Sequence, residues 1–164
     1  MSVTVSILIG SESDLDLANK CSDTLDSLSI SNSIQVLSAH RTPALLETHI
    51  RECEAGGTKV FIAMAGLAAH LAGAVASKTV LPVIGVPGDG GPLSGMDALL
   101  STVQMPKGIP VATVAIGSAG AINSAYLAAQ MLGIESESTR ASLLQVREDG
   151  LEAIKESNKK LADS

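Results

Sequence analysis

Aromatic side chains are almost missing from these 164 residues: Phe61 and Tyr126 stand alone, and tryptophan is absent. The core must therefore be filled by Ala, Val, Leu and Ile, and side chains that small bring backbones close together. A chain of this length still suffices for one core, since a domain of this size buries roughly 70% of the surface its unfolded form exposes. A single domain over residues 1–164 is expected.

Basic residues are scarce too. Lys and Arg number 11 against 17 Asp and Glu, a formal net charge of -6. That balance argues against nucleic acid or an anionic membrane surface as partner, because both are held mainly by clustered Lys and Arg. A bound phosphate would need local donors, which helix N-termini and loop amides supply.

Cysteine is limited to Cys21 and Cys53, far apart and without C-x-x-C spacing or a Cys/His cluster. This predicts a reducing compartment rather than a disulfide framework. No basic stretch precedes a long apolar run near Met1, so neither signal peptide nor membrane span is expected. A soluble cytoplasmic protein is the corresponding reading. Three scattered histidines, His40, His49 and His70, do not make a metal site.

What is present is a recurrence of short β-branched runs, each ending in a glycine or polar loop and followed by helical periodicity. The runs are Val3 to Ile9, Ile34 to Leu37, Val60 to Ala63, Val83 to Val86 and Val111 to Ile116. The pattern predicts an α/β fold, a central parallel sheet with crossover helices, and the continuous apolar runs predict burial on both faces. Leu15, Leu17, Ala18, Cys21, Leu25 and Leu28 form one helical stripe, and Leu45, Leu46, Ile50 and Cys53 another. Gly56-Gly57 is a stop for the second helix.

Ala68 to Ser77 and Ala119 to Leu132 are apolar on nearly every side, which predicts burial all round and, in so small a domain, a second copy of the chain as part of the cover. Residues 138–161 read as a C-terminal amphipathic helix packing on a neighbouring subunit.

Ligands of open parallel sheets bind beyond the carboxyl ends of the strands. The polar motifs fall there. Gly10-Ser11-Glu12-Ser13-Asp14 suits a phosphate and ribose site, although Ser13 or Asp14 is equally suited to capping a helix. Thr42-Pro43 has a structural reading as N-cap and first helical residue. Ala39-His40-Arg41 has none, and places a proton carrier beside a fixed positive charge. His70 is either a satisfied structural histidine or a catalytic one; small neighbours Ala65, Gly66, Ala68 and Ala69 leave room for a flat heterocycle. His49 reads as a surface or packing residue. The segment from Pro87 to Gly95 is either a ligand-covering element or a surface connection. Neither a Gly-x4-Gly-Lys-Ser/Thr phosphate loop nor a Gly-x-Ser-x-Gly elbow occurs, which disfavours a P-loop nucleotidase and the usual hydrolase.

Gly10-Ser11-x-Ser13-Asp14, Ser38-Ala39-His40-Arg41-Thr42-Pro43, Ala68-Ala69-His70-Leu71, Leu81 to Pro87 and Val103 to Val111, in this order, resemble the N5-carboxyaminoimidazole ribonucleotide mutases, the class I branch of the PurE family. The resemblance spans roughly the first 130 residues. It implies a three-layer flavodoxin-like domain assembled as an octamer, acting on a ribonucleotide carbamate in purine biosynthesis without metal, ATP or organic cofactor. A separate ATP-dependent synthetase would make the carbamate.

Carried over by residue, the resemblance implies that Gly10, Ser11, Ser13, Asp14, Ser38, Ala39 and Arg41 hold phosphate and ribose. His40 is then the acid/base with His70 as the other catalytic candidate, and Ala65, Gly66, Ala68, Ala69 and Leu71 surround the imidazole and migrating carboxylate. Leu67 stands where glycine is common, Ala72 where proline is expected, and Gly88 to Gly91 is unusually glycine-rich. A related branch uses free CO2 directly; Arg41 in place of lysine and the intact Ala68-Ala69-His70 favour the mutases. A non-catalytic nucleotide-binding module is the alternative from another class, and it would have little use for His40 beside Arg41.

Overall fold

The computed structural model describes residues 3–162. Five strands, β1 (Val5–Ile9), β2 (Asn32–Val36), β3 (Val60–Ala65), β4 (Val83–Pro87) and β5 (Ala112–Thr113), form one sheet in the order β2-β1-β3-β4-β5. Every pairing is parallel. Helices α1 (Leu15–Ser27), α2 (Pro43–Gly56), α3 (Leu71–Ala76), α4 (Met96–Val103), α5 (Gly117–Leu132) and α6 (Glu137–Ala162) complete the order.

Alternation along the strands divides the core into two layers. Val5, Ile7, Ile9, Ile62, Met64 and Ile84 meet α1 and α5, whereas Leu8, Phe61, Ala63 and Val83 meet α2 and α3. The result is the expected three-layer flavodoxin-like arrangement with an additional C-terminal helix. Small residues fill the α1–α5 contact: Ala121, Ala125, Ala128 and Ala129 are fully buried there with Cys21 and Leu25. Cys21 Sγ lies 3.4 Å from Ser124 Oγ, and burial pushes its thiol up to about 11. The α2 stop is Gly57, left-handed at φ 95°, with its N–H returned to the helix's last turn.

The edges of the sheet differ from expectation. β2 begins at Asn32 and ends at Val36 instead of covering Ile34 to Leu37, and Val36 is 49% exposed, so this strand is not buried on both faces. It has a neighbour on one side only, and its polar Asn32 bonds Ser22 and Asp26 of α1. β5 shrinks from Val111–Ile116 to two residues for the same reason, the chain leaving the ladder after Val114 N–H bonds Gly85 O. β1 starts at Val5 rather than Val3, because Thr4 is drawn to Ser31 by backbone and hydroxyl hydrogen bonds.

Leu15 and Leu45, placed on the apolar stripes, are 42% and 60% exposed, being on the flanks of their helices. α3 begins at Leu71 rather than Ala68, since His70 N–H closes a turn on Ala68 O first. α5 starts two residues before Ala119.

Candidate active site

The carboxyl ends of β1, β2 and β3 open onto a cavity of about 710 Å³. At the first, Ser11 Oγ accepts the Ser13 N–H and so caps a 3-10 turn over Glu12–Asp14. Neither Ser13 nor Asp14 acts as the side-chain cap that the sequence allowed. Asp14 occupies the N-cap position of α1 without capping it, and its carboxyl faces the cavity. Burial raises its pKa from the ordinary carboxylate value, opposed by a backbone hydrogen bond from Ser11.

Beyond β2, the chain turns on Ser38. Thr42 Oγ1 accepts the Ser38 N–H at 3.0 Å and donates to Ser38 O at 3.1 Å, while Arg41 N–H donates to Ser38 Oγ at 3.2 Å. Pro43 is the first residue of α2 as expected, but the Thr42 hydroxyl caps no helix amide. It meets the strand-end amide and carbonyl of Ser38 instead, and the same carbonyl also accepts the Thr42 N–H at 3.0 Å. The turn aims two side chains. Arg41 Nη2 donates to Gly10 O at 2.7 Å, joining the first two loops. His40 Nε2 meets His70 Nδ1 at 2.6 Å, with ring centroids 4.8 Å apart and planes at 76°.

His70 thus has a side-chain partner across the cavity wall in His40. It stands at the N-cap position of α3 but caps nothing, and its ring is spent on His40. One ring nitrogen donates and the other accepts, so each imidazole fixes the orientation of the other. Arg41 adds a permanent positive charge on the same wall.

All of the expected site residues line the cavity except Ala69, which is 2% exposed and packs into the protein because the turn ahead of α3 faces it inward. The structure adds Asp16 and Leu17 from α1, Leu67, Gly88 to Gly91, and Ser118 from α5. Residues 88–91 of the glycine-rich segment border the cavity. Ser118 was findable, since it lies just beyond the fifth strand's carboxyl end. Asp16 and Leu17 line the cavity from the first turn of α1, directly after the Gly10–Asp14 loop. Among the described residues, no group of three or more His, Cys, Asp and Glu is placed to hold a metal ion, and no helix is long and apolar enough to cross a membrane.

Known proteins resemble this chain along nearly its whole length. The N5-carboxyaminoimidazole ribonucleotide mutase of Pseudomonas aeruginosa is 49% identical over 154 residues, 94% of each protein. The mutase of Bacillus subtilis is 46% identical over 161 residues, covering 98% of this chain and 99% of that protein. The crystal structure of Treponema denticola PurE superposes with a TM-score of 0.88 at 30% identity, over 96% of this chain and 98% of that one. The family described as AIR carboxylase matches residues 4–152, and this chain belongs to it.

Proposed function

We propose that this chain interconverts N5-carboxyaminoimidazole ribonucleotide and 4-carboxy-5-aminoimidazole ribonucleotide in purine biosynthesis. The observation that carries the reading is the His40–His70 pair at 2.6 Å beside Arg41, in a cavity whose other wall offers Ser11, Ser13 and Asp14. The relatives named as mutases support the reaction type.

The isomerisation conserves every atom. The N5–carboxyl bond breaks to release CO2, its electron pair staying on nitrogen, which takes a proton. The electron-rich C4 carbon then attacks CO2, and His40 removes the C4 proton to restore the aromatic ring. One proton leaves C4 and one arrives on N5, so no net oxidant, reductant or ATP is required. An imidazole, with an ordinary pKa near 6.5, works in both directions. His70, hydrogen-bonded to His40, keeps that ring oriented and shares its proton. Arg41 and the amides of the Gly10–Asp14 turn hold the phosphate, and the Asp14 carboxylate accepts from ribose hydroxyls. Keeping CO2 at C4 replaces concentration by proximity, a gain that reaches effective molarities of about 10⁵ M and above in well-oriented systems.

His40, Arg41 and His70 remain exposed in the single chain. Chemistry that must retain CO2 needs further cover, and a neighbouring copy in a homo-octamer would supply it. An ATP-dependent synthetase that forms the carbamate would precede this enzyme, both acting in the cytoplasm.

The test is turnover of the N5-carbamate in CO2-depleted buffer, followed as the C4-carboxylated product. Conversion is expected. Conversion only from the aminoimidazole ribonucleotide with high bicarbonate would replace the mutase by a direct carboxylase, and binding without turnover in either assay would leave a nucleotide-binding module.

A further inference from the structure

Leu67 adopts φ 55°, the left-handed region that residues bearing a Cβ rarely enter. Its side chain is not retracted into the core: the residue is 54% exposed and lines the cavity. The group it meets is the backbone of the glycine-rich loop. A Cβ built on Gly91, itself at φ 86°, would stand 2.5 Å from Leu67 Cδ2, so the leucine lies directly against Gly91 and would have to turn aside for a larger residue there. The same two loops touch again nearby, where Gly88 N–H donates to Ala65 O at 2.8 Å and a Cβ on Gly88 would stand 3.1 Å from Gly66 Cα. Residues 88–91 are therefore seated on residues 65–67 by a hydrogen bond, a backbone contact and one apolar side chain.

We infer that Leu67 is a positioning residue that seals the seam between these loops and so retains CO2 at the reacting carbon. The inference rests on the mutase reading above. CO2 carries no hydrogen and offers a site little to grip; what retains it is a wall without gaps or water. A glycine at 67 would relieve the backbone but leave open space above Gly91. The left-handed leucine gives up backbone ease for an apolar wall, as strained residues at functional sites do. If the seam opens, the carbamate still loses CO2, but the gas departs to solvent and a proton from water completes the amine, giving aminoimidazole ribonucleotide instead of the carboxylated product.

The experiment supplies carbamate labelled with ¹³C at its carboxyl in buffer containing unlabelled bicarbonate, and measures by mass spectrometry the label retained in the C4-carboxylated product. Wild type should retain it. Leu67→Ala and Leu67→Gly should raise the ratio of released aminoimidazole ribonucleotide to labelled product by roughly tenfold, the effect of one lost side-chain contact on a competition between rates. Leu67→Met, which keeps an apolar chain of similar volume, should restore retention. A merely structural role would lower the amount of active enzyme without changing label per product, and amide exchange at 88–91 separates loosening of the seam from global unfolding. Unchanged retention in the Ala and Gly variants overturns the role of Leu67 while leaving the mutase reading intact. Loss of label already in wild type overturns both.

Discussion

His49 sits under the sheet on α2, half-buried, with Nε2 3.1 Å from Ser6 Oγ and 3.2 Å from Cys53 Sγ. Burial pushes its pKa below 6.5, partly opposed by the Glu52 charge. The folded state therefore binds fewer protons than the unfolded state as pH falls from about 6.5 through the lowered folded value, and stability must decrease over that window. Urea midpoints measured from pH 8 to pH 5 should fall, and His49→Gln should flatten that part of the curve; an unchanged slope in the variant would assign the titration elsewhere. Asp14 acts with opposite sign, its raised pKa favouring the folded state as pH drops through that value towards 3.8.

Residue types spoke clearly where one chemistry was possible, as for His40. They spoke ambiguously for Thr42, Ser13 and Asp14. All three are good cap formers, and which amide a short hydroxyl or carboxylate meets depends on loop geometry that sequence spacing does not carry. Leu67 was visible only as a departure from a pattern, and its dihedral angle supplies the physical content.

At the scale of elements, β1, β3 and β4 were legible because strands paired on both sides must be apolar on both faces. β2 and β5 were misdrawn because an edge strand has one partner, and nothing local sets where its pairing stops. α6 was legible in extent, Glu137–Ala162 against 138–161, but it has no fully buried residue. Leu143 and Val146 lean on the core, whereas Leu144, Leu151, Ile154 and Leu161 are 63%, 47%, 63% and 74% exposed. Their spacing puts them along one stripe of the helix. An apolar stripe of this kind calls for a partner surface. Light scattering on the purified protein should give eight times the 16.6 kDa chain mass, and Leu151→Glu with Ile154→Glu should shift it to smaller species. A monomeric wild type would contradict the assignment of α6 to a neighbour.

The whole molecule gathers, at one edge of one sheet, loops separated by as many as 108 residues, from Gly10 to Ser118. Parallel topology accounts for this, since every strand delivers its following loop to the same edge. That rule led from the sequence to the strand ends where the cavity opens; it did not reveal that Asp16 and Leu17 would line it, or the hydrogen bond between two histidines 30 residues apart. The acidic net charge is compatible with the proposed reading, in which Arg41 and turn amides rather than a basic surface would meet the anionic group.

The central claim is that His40 carries the proton. The most direct measurement is His40→Asn assayed for both calorimetric binding of the carboxylated ribonucleotide and turnover of the carbamate. Asparagine nearly preserves size and hydrogen bonding but cannot cycle a proton. Binding should stay close to wild type while turnover falls by about 10²- to 10⁴-fold, the range of general acid–base contributions. Near-normal turnover in a variant that still binds would contradict the account and move the proton transfer to His70.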